Sequence, residues 1–162
     1  MKVLFLCTGN SCRSIMAEAL FNHLAPEGWL AESAGSQPKG RIHPWALAVL
    51  SEKGIPVERL SSKSWNLLSG PFDLVVTLCD SAAGEACPLV FSKAPRVHWG
   101  LPDPDAVQGS DRVVMEAFRR TFRILEKRIT TFLGRPEVRK GQLPSLPDLR
   151  AIGHIASEER IR

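Results

Sequence analysis

No apolar run in this 162-residue chain approaches the ~20 residues that cross a bilayer, which excludes a helical membrane span. The start, Met1-Lys2 followed at once by apolar residues, lacks the layout of a secretory signal, so a cytoplasmic location is the default expectation. Tyrosine is absent, and cysteine is scarce: Cys7, Cys12, Cys79 and Cys87 are the only four. Four such residues in a reducing compartment do not make a disulfide framework. Their spacing also lacks the paired C-x-x-C ligands of a zinc site. Thiol chemistry or core packing remains. Internal repeats and low-complexity tracts are missing as well, so the chain reads as one ordinary globular protein.

Charge of either sign is modest. Twenty-one basic residues against 17 acidic ones leave +4. The densest basic positions, Arg119, Arg120, Arg123, Lys127 and Arg128, alternate with Phe118, Phe122, Leu125, Ile129 and Phe132. That is the solvated face of an amphipathic helix, and no nucleic-acid module accompanies it. The positive balance better suits attraction of an anionic substrate.

What is present is concentrated at the start. Val3-Leu4-Phe5-Leu6 reads as a buried strand and ends directly in Cys7-Thr8-Gly9-Asn10-Ser11-Cys12-Arg13-Ser14, with a helix expected over Ile15–Leu24. Backbone N–H groups of such a loop converge at a helix N-terminus, where partial positive charge favours an anion. The same field favours thiolate at Cys7, the form that attacks. Arg13 adds a planar fork able to grip two oxygens of a tetrahedral anion. Gly9 and Asn10 tolerate the positive φ of a tight cradle. Residues 8–14 are therefore the expected substrate-binding loop, and Cys7 the nucleophile. Ser14 either steadies the thiolate or caps the helix. Cys12 reads as packing.

Further strands are expected at Trp29–Ala34, Asp73–Leu78 and Arg96–Trp99. Helices are expected at His43–Lys53, Leu60–Leu68 and Ser110–Leu133. Strands alternating with helices predict an α/β fold with a four-stranded parallel sheet covered on both faces. The site then lies at the carboxyl ends of the strands, where Cys7, Cys79 and the Asp103-Pro104-Asp105 turn all fall. Either carboxylate of that turn suits a general acid, Asp103 better by position. Domain 1–133 carries this pattern; 134–162 is a Gly/Pro-punctuated extension with a weak terminal helix at Leu149–Ile161.

The Cys-x5-Arg-Ser loop with Asp103-Pro104 downstream resembles the low-molecular-weight protein tyrosine phosphatase superfamily, whose fold is a flavodoxin-like three-layer sandwich. Val75-Val76-Thr77-Leu78-Cys79-Asp80, Cys87-Pro88, Ser33-Ala34-Gly35, Ser62-Lys63-Ser64-Trp65 and His98-Trp99-Gly100 are similar to the arsenate reductases built on that fold. The resemblance spans about residues 2–133. It implies attack of Cys7 on arsenate, held by the loop and Arg13, with Asp103 protonating the departing oxygen. Cys79 then takes Cys7 into a disulfide, and Cys87 passes it to a small dithiol protein. Seven residues separate Cys79 from Cys87, one more than in thioredoxin-linked relatives, so thioredoxin or glutaredoxin is expected as donor. A phosphatase, the alternative, needs neither Cys79 nor Cys87, and its family usually carries tyrosine after the Asp-Pro. Some relatives hold potassium near the loop. Asn10, Glu18 and Ser33 match those ligands, while the fourth position falls near Ser62 or Lys63, where a lysine ammonium can replace the cation. No metal or other cofactor is expected.

Overall fold

The computed structural model describes residues 1–80, 82 and 93–156. Four strands, β1 (Lys2–Leu6), β2 (Leu30–Ala34), β3 (Leu74–Thr77) and β4 (Arg96–His98), form one sheet in the order β2-β1-β3-β4. Every pairing is parallel, and Phe5 registers between Ser33 and Val76. The central strands are apolar almost without alternation, as strands buried on both faces must be. The four-stranded parallel α/β sheet expected from the sequence is thus the one observed.

Helices α1 (Arg13–Leu24), α2 (Pro44–Glu52) and α3 (Asp111–Leu133) bury one face with Val3, Phe5, Leu74 and Val76. Phe5, Phe21, Trp99 and Phe132 stack there with ring centroids near 6 Å. On the opposite face Leu4, Leu6 and Val75 pack with Phe72, Cys79 and Ala82. Ser110 caps α3 by accepting from Val113 N–H, and His43 caps α2 through Nδ1.

The helix expected at Leu60–Leu68 is only a 3-10 turn, Trp65–Leu67. Backbone groups just before it are consumed by distant partners: Lys63 C=O accepts from Gly35 N–H, and Lys63 N–H donates to Asn10 Oδ1. No helical ladder can form from groups already spent on the sheet's neighbour and on the loop.

Beyond α3 lie two short helices, α4 (Pro136–Arg139) and α5 (Leu146–Ile152), the latter starting before the expected Leu149 because Ser145 caps it. Both are bound to the sheet layer. Trp29 Nε1 donates to Val138 C=O at 3.0 Å and Trp99 Nε1 to Leu149 C=O at 2.9 Å. Fully buried Arg128 donates from Nη1 to Trp99 C=O at 2.7 Å and from Nε to Ile155 C=O at 3.1 Å.

Candidate active site

Cys7 directly follows β1, an inner strand of the sheet, and the residues after it turn sharply into α1. Asn10 makes that turn at φ 42°, a left-handed value asparagine tolerates. The loop is held by its carbonyls. Gln37 N–H donates to Thr8 C=O, Lys39 N–H to Gly9 C=O and His43 N–H to Ser11 C=O, each at 3.0 Å. Residues 37–43 thus form a strap that takes up the loop's carbonyls, while Asn10 N–H closes the turn onto Cys7 C=O at 3.3 Å. Gly35 is obligatory here, because a Cβ would collide with the carbonyl oxygens of Cys7 and Thr8.

Beneath the loop runs a buried polar network. Asn10 Nδ2 donates to Ser14 Oγ at 2.9 Å and to Ser33 Oγ at 3.0 Å. Ser33 Oγ donates to Glu18 Oε1 at 2.5 Å, and Lys63 Nζ lies 3.8 Å from the same oxygen. Burial pushes the Glu18 carboxyl up, while Ser33 and Lys63 pull it back. Ser14 therefore serves Asn10; the N-cap of α1 is Cys12, which makes no side-chain cap.

A cavity of about 470 Å³ opens over the loop, lined by residues 7–13 together with Gln37, Lys39, Cys79 and Asp103. A larger groove of about 640 Å³ between α1 and β2 carries no cysteine and no arginine but the peripheral Arg59. Arg13 Nη1 donates to Leu101 C=O at 3.0 Å, and Nη2 stands 3.7 Å from Asp103 Oδ2. Its Nε is buried with no acceptor among the described residues. Asp103 and Asp105 separate cleanly. Asp103 lines the cavity, its Oδ1 accepting from Asp105 N–H. Asp105 faces Lys39 and His43, each 2.9 Å away, and Lys39 holds its carboxyl below the ordinary range.

The second sulfur is already in place. Cys79 Sγ accepts from Thr8 N–H at 3.4 Å and from Ala82 N–H at 3.3 Å, and lies 3.5 Å from Thr8 Oγ1. Cys7 lines the same cavity and packs in the same buried cluster. The neighbouring Cys7 thiol, with the Thr8 and Ala82 donors, draws Cys79 down to about 4. The neighbouring Cys79, with burial, pushes Cys7 far up. The sequence places the thiolate on Cys7; in the structure the two sulfurs titrate as a coupled pair, Cys79 lowered and Cys7 raised. Burial raises Cys12 to about 11, which keeps it a thiol, 3.9 Å from Asp103 Oδ1. Thus Cys7, residues 8–13, Cys79 and Asp103 come together at one cavity, while Ser14, expected in the binding loop, lies beneath it on Asn10. Cys87 lies outside the described residues.

Sequence reasoning missed the strap and Lys39, and it assigned His43 and His98 no partner. His43 Nε2 meets Asp105, and His98 spans Thr77 Oγ1 at 2.7 Å and Asp80 Oδ1 at 3.0 Å. The only sequence signal for these was a polar loop of Pro and Gly before α2. Trp99, a packing residue by its sequence context, is core.

The geometry describes a cysteine-based oxyanion site on a parallel α/β sheet. The family description "Low molecular weight phosphotyrosine protein phosphatase" matches residues 2–143, and the chain belongs to that family. Its relatives include an arsenate reductase of Halalkalibacterium halodurans, 41% identical over 131 residues, covering 80% of this chain and 93% of the relative. The arsenate reductase of Archaeoglobus fulgidus superimposes with a TM-score of 0.67 at 30% identity, over 82% of this chain and 99% of the other. A thioredoxin-dependent arsenate reductase of Corynebacterium glutamicum gives 0.55 at 30% identity, over 80% of this chain and 62% of the other.

Proposed function

We propose that this enzyme reduces arsenate to arsenite by a thiol relay. The observation that carries the reading is that Cys7 and Cys79 line one cavity with Arg13 and Asp103. Hydrolysis of a phosphate ester uses one cysteine, an arginine, an acid and water. Reducing As(V) to As(III) takes two electrons, which two thiols supply on becoming a disulfide.

Arsenate is held by the loop amides and by Arg13, whose unpaired Nε is a donor awaiting an acceptor. The Cys7 proton passes to Cys79 as Cys7 attacks arsenic. One oxygen leaves as water with a proton from Asp103, and an As(V)–S bond forms. Cys79 Sγ then attacks Cys7 Sγ. The As–S electron pair goes to arsenic, the Cys79 proton to the arsenite oxygen, and a Cys7–Cys79 disulfide remains. Cys87 attacks Cys79 and transfers the disulfide to a dithiol donor. Similarity to a thioredoxin-dependent enzyme favours thioredoxin.

The test is arsenate-dependent NADPH oxidation with thioredoxin and its reductase, run beside glutaredoxin with glutathione. Turnover with either that vanishes in Cys79→Ser supports the relay and names the donor. Steady hydrolysis of an aryl phosphate without arsenate turnover assigns a phosphatase instead.

A further inference from the structure

We propose that Lys39 is a second cationic contact for the bound oxyanion, held in reserve by Asp105, and that it makes the site select dianions over monoanions. The proposal rests on the reading of residues 7–14 as an oxyanion loop.

Lys39 is fixed at the cavity from both ends. Its backbone N–H donates to Gly9 C=O, and its stem runs along Gly9, where a Cβ would stand 3.3 Å from Cε. Its ammonium pairs with Asp105 Oδ2 at 2.9 Å. Asp105 is itself anchored, because Oδ1 meets His43 Nε2 at 2.9 Å. His43 Nδ1 accepts from Trp45 N–H, which puts the neutral ring's proton on Nε2, facing the carboxylate. The ring also stacks on Phe118 with centroids 4.6 Å apart. When the ammonium swings from Asp105 toward the cavity, the carboxylate keeps His43 as partner. The swing needs only terminal rotamer changes of a half-exposed side chain.

The charges make a second cation necessary for a dianion. Arg13 faces Asp103 at 3.7 Å, and the Cys7–Cys79 pair holds one negative charge in the same cavity. Arg13 alone cannot offset those and two more. A tetrahedral dianion draws Lys39 inward more strongly than a monoanion of the same shape, since the Coulomb attraction doubles.

Sulfate and perchlorate provide that comparison without titrating. In Cys7→Ser protein, which cannot react, calorimetry should show sulfate bound more tightly than perchlorate. Adding Lys39→Met should weaken sulfate about tenfold and perchlorate only about threefold, half the free energy. Adding Asp105→Asn instead, which frees the ammonium, should tighten sulfate. An unchanged sulfate-to-perchlorate ratio in Lys39→Met overturns the proposal. So does equal weakening by Lys39→Met and Asp105→Asn, which would make the ion pair merely structural, and so does failure of sulfate to bind at all. Arsenate turnover of the wild-type chain is measured beside these. Its absence with the ratio shifted sinks the reductase reading and leaves Lys39's role standing.

Discussion

The backbone N–H of Thr8, the residue after the nucleophile, donates to Cys79 Sγ at 3.4 Å across 71 residues of sequence. The amide that the loop uses to favour an anion is therefore already occupied by one, the sulfur of the second cysteine. On the proposed reading, substrate and relay compete for this donor.

That sharing fixes the pH behaviour of the thiols. Cys79 is lowered from 9.0 to about 4, so one thiolate persists at every pH above about 4 and is lost only as pH falls through that value. Thiolate absorbance near 240 nm should titrate there in the wild type. In Cys79→Ala the largest cause of the raised Cys7 value is gone, and Cys7 should titrate lower than in the wild type. A wild-type protein with no thiolate at pH 6 rules this out.

Gly35→Ala places a methyl against two loop carbonyls that belong to backbone and cannot yield cheaply. The expected cost is about 1–3 kcal/mol of stability. Sulfate affinity should fall with it, because Thr8 and Cys7 must shift. Denaturant unfolding and calorimetry read the two effects; an unperturbed variant would show that the approach of Gly35 is not constrained.

Lys63→Met leaves the buried Glu18 carboxylate without its cation. Glu18 already has a raised folded value, so the native state holds its proton more firmly than the unfolded chain does. Stability then falls as pH rises from the ordinary carboxylate range upward. Removing Lys63 raises the folded value further and steepens that fall. The variant's Tm deficit should be larger at pH 8 than at pH 5, and Glu18→Gln on the Lys63→Met background should flatten it. A deficit independent of pH rejects the pairing.

These three sites differ in how visible they were in the sequence. The strands were legible because Val3–Leu6 and Leu74–Thr77 are continuous apolar runs, and α3 because its apolar positions repeat at helical spacing. Cys7 and Arg13 were legible because the loop is local in sequence. Lys63–Glu18 follows from one resemblance, but Lys39–Asp105 joins residues 66 apart and leaves no periodic trace. The 3-10 turn at Trp65–Leu67 was misread for the same reason. Local composition favours helix at 60–68, and only the partners Gly35 and Asn10, distant in sequence, forbid it.

The extension offers a further test. In Gly153→Val a Cβ would fall 2.7 Å from Trp99 Cδ1 and 2.8 Å from His98 C=O. Overpacking there should cost about 1–3 kcal/mol. The strain enters two residues before Leu101, whose carbonyl receives Arg13, so the KM for arsenate should rise as well as the Tm fall. An unchanged Tm would show α5 detached from the sheet.

Arg128 ties the carbonyls of Trp99 and Gly100 to that of Ile155. A chain made from its N-terminus presents Cys7 and Arg13 early, yet the strand end that supports Arg13 gains its last carbonyl partner only when residues 145–156 arrive. On the ribosome, the loop at 7–14 therefore emerges well before the segment that braces it, and it waits unsupported in between.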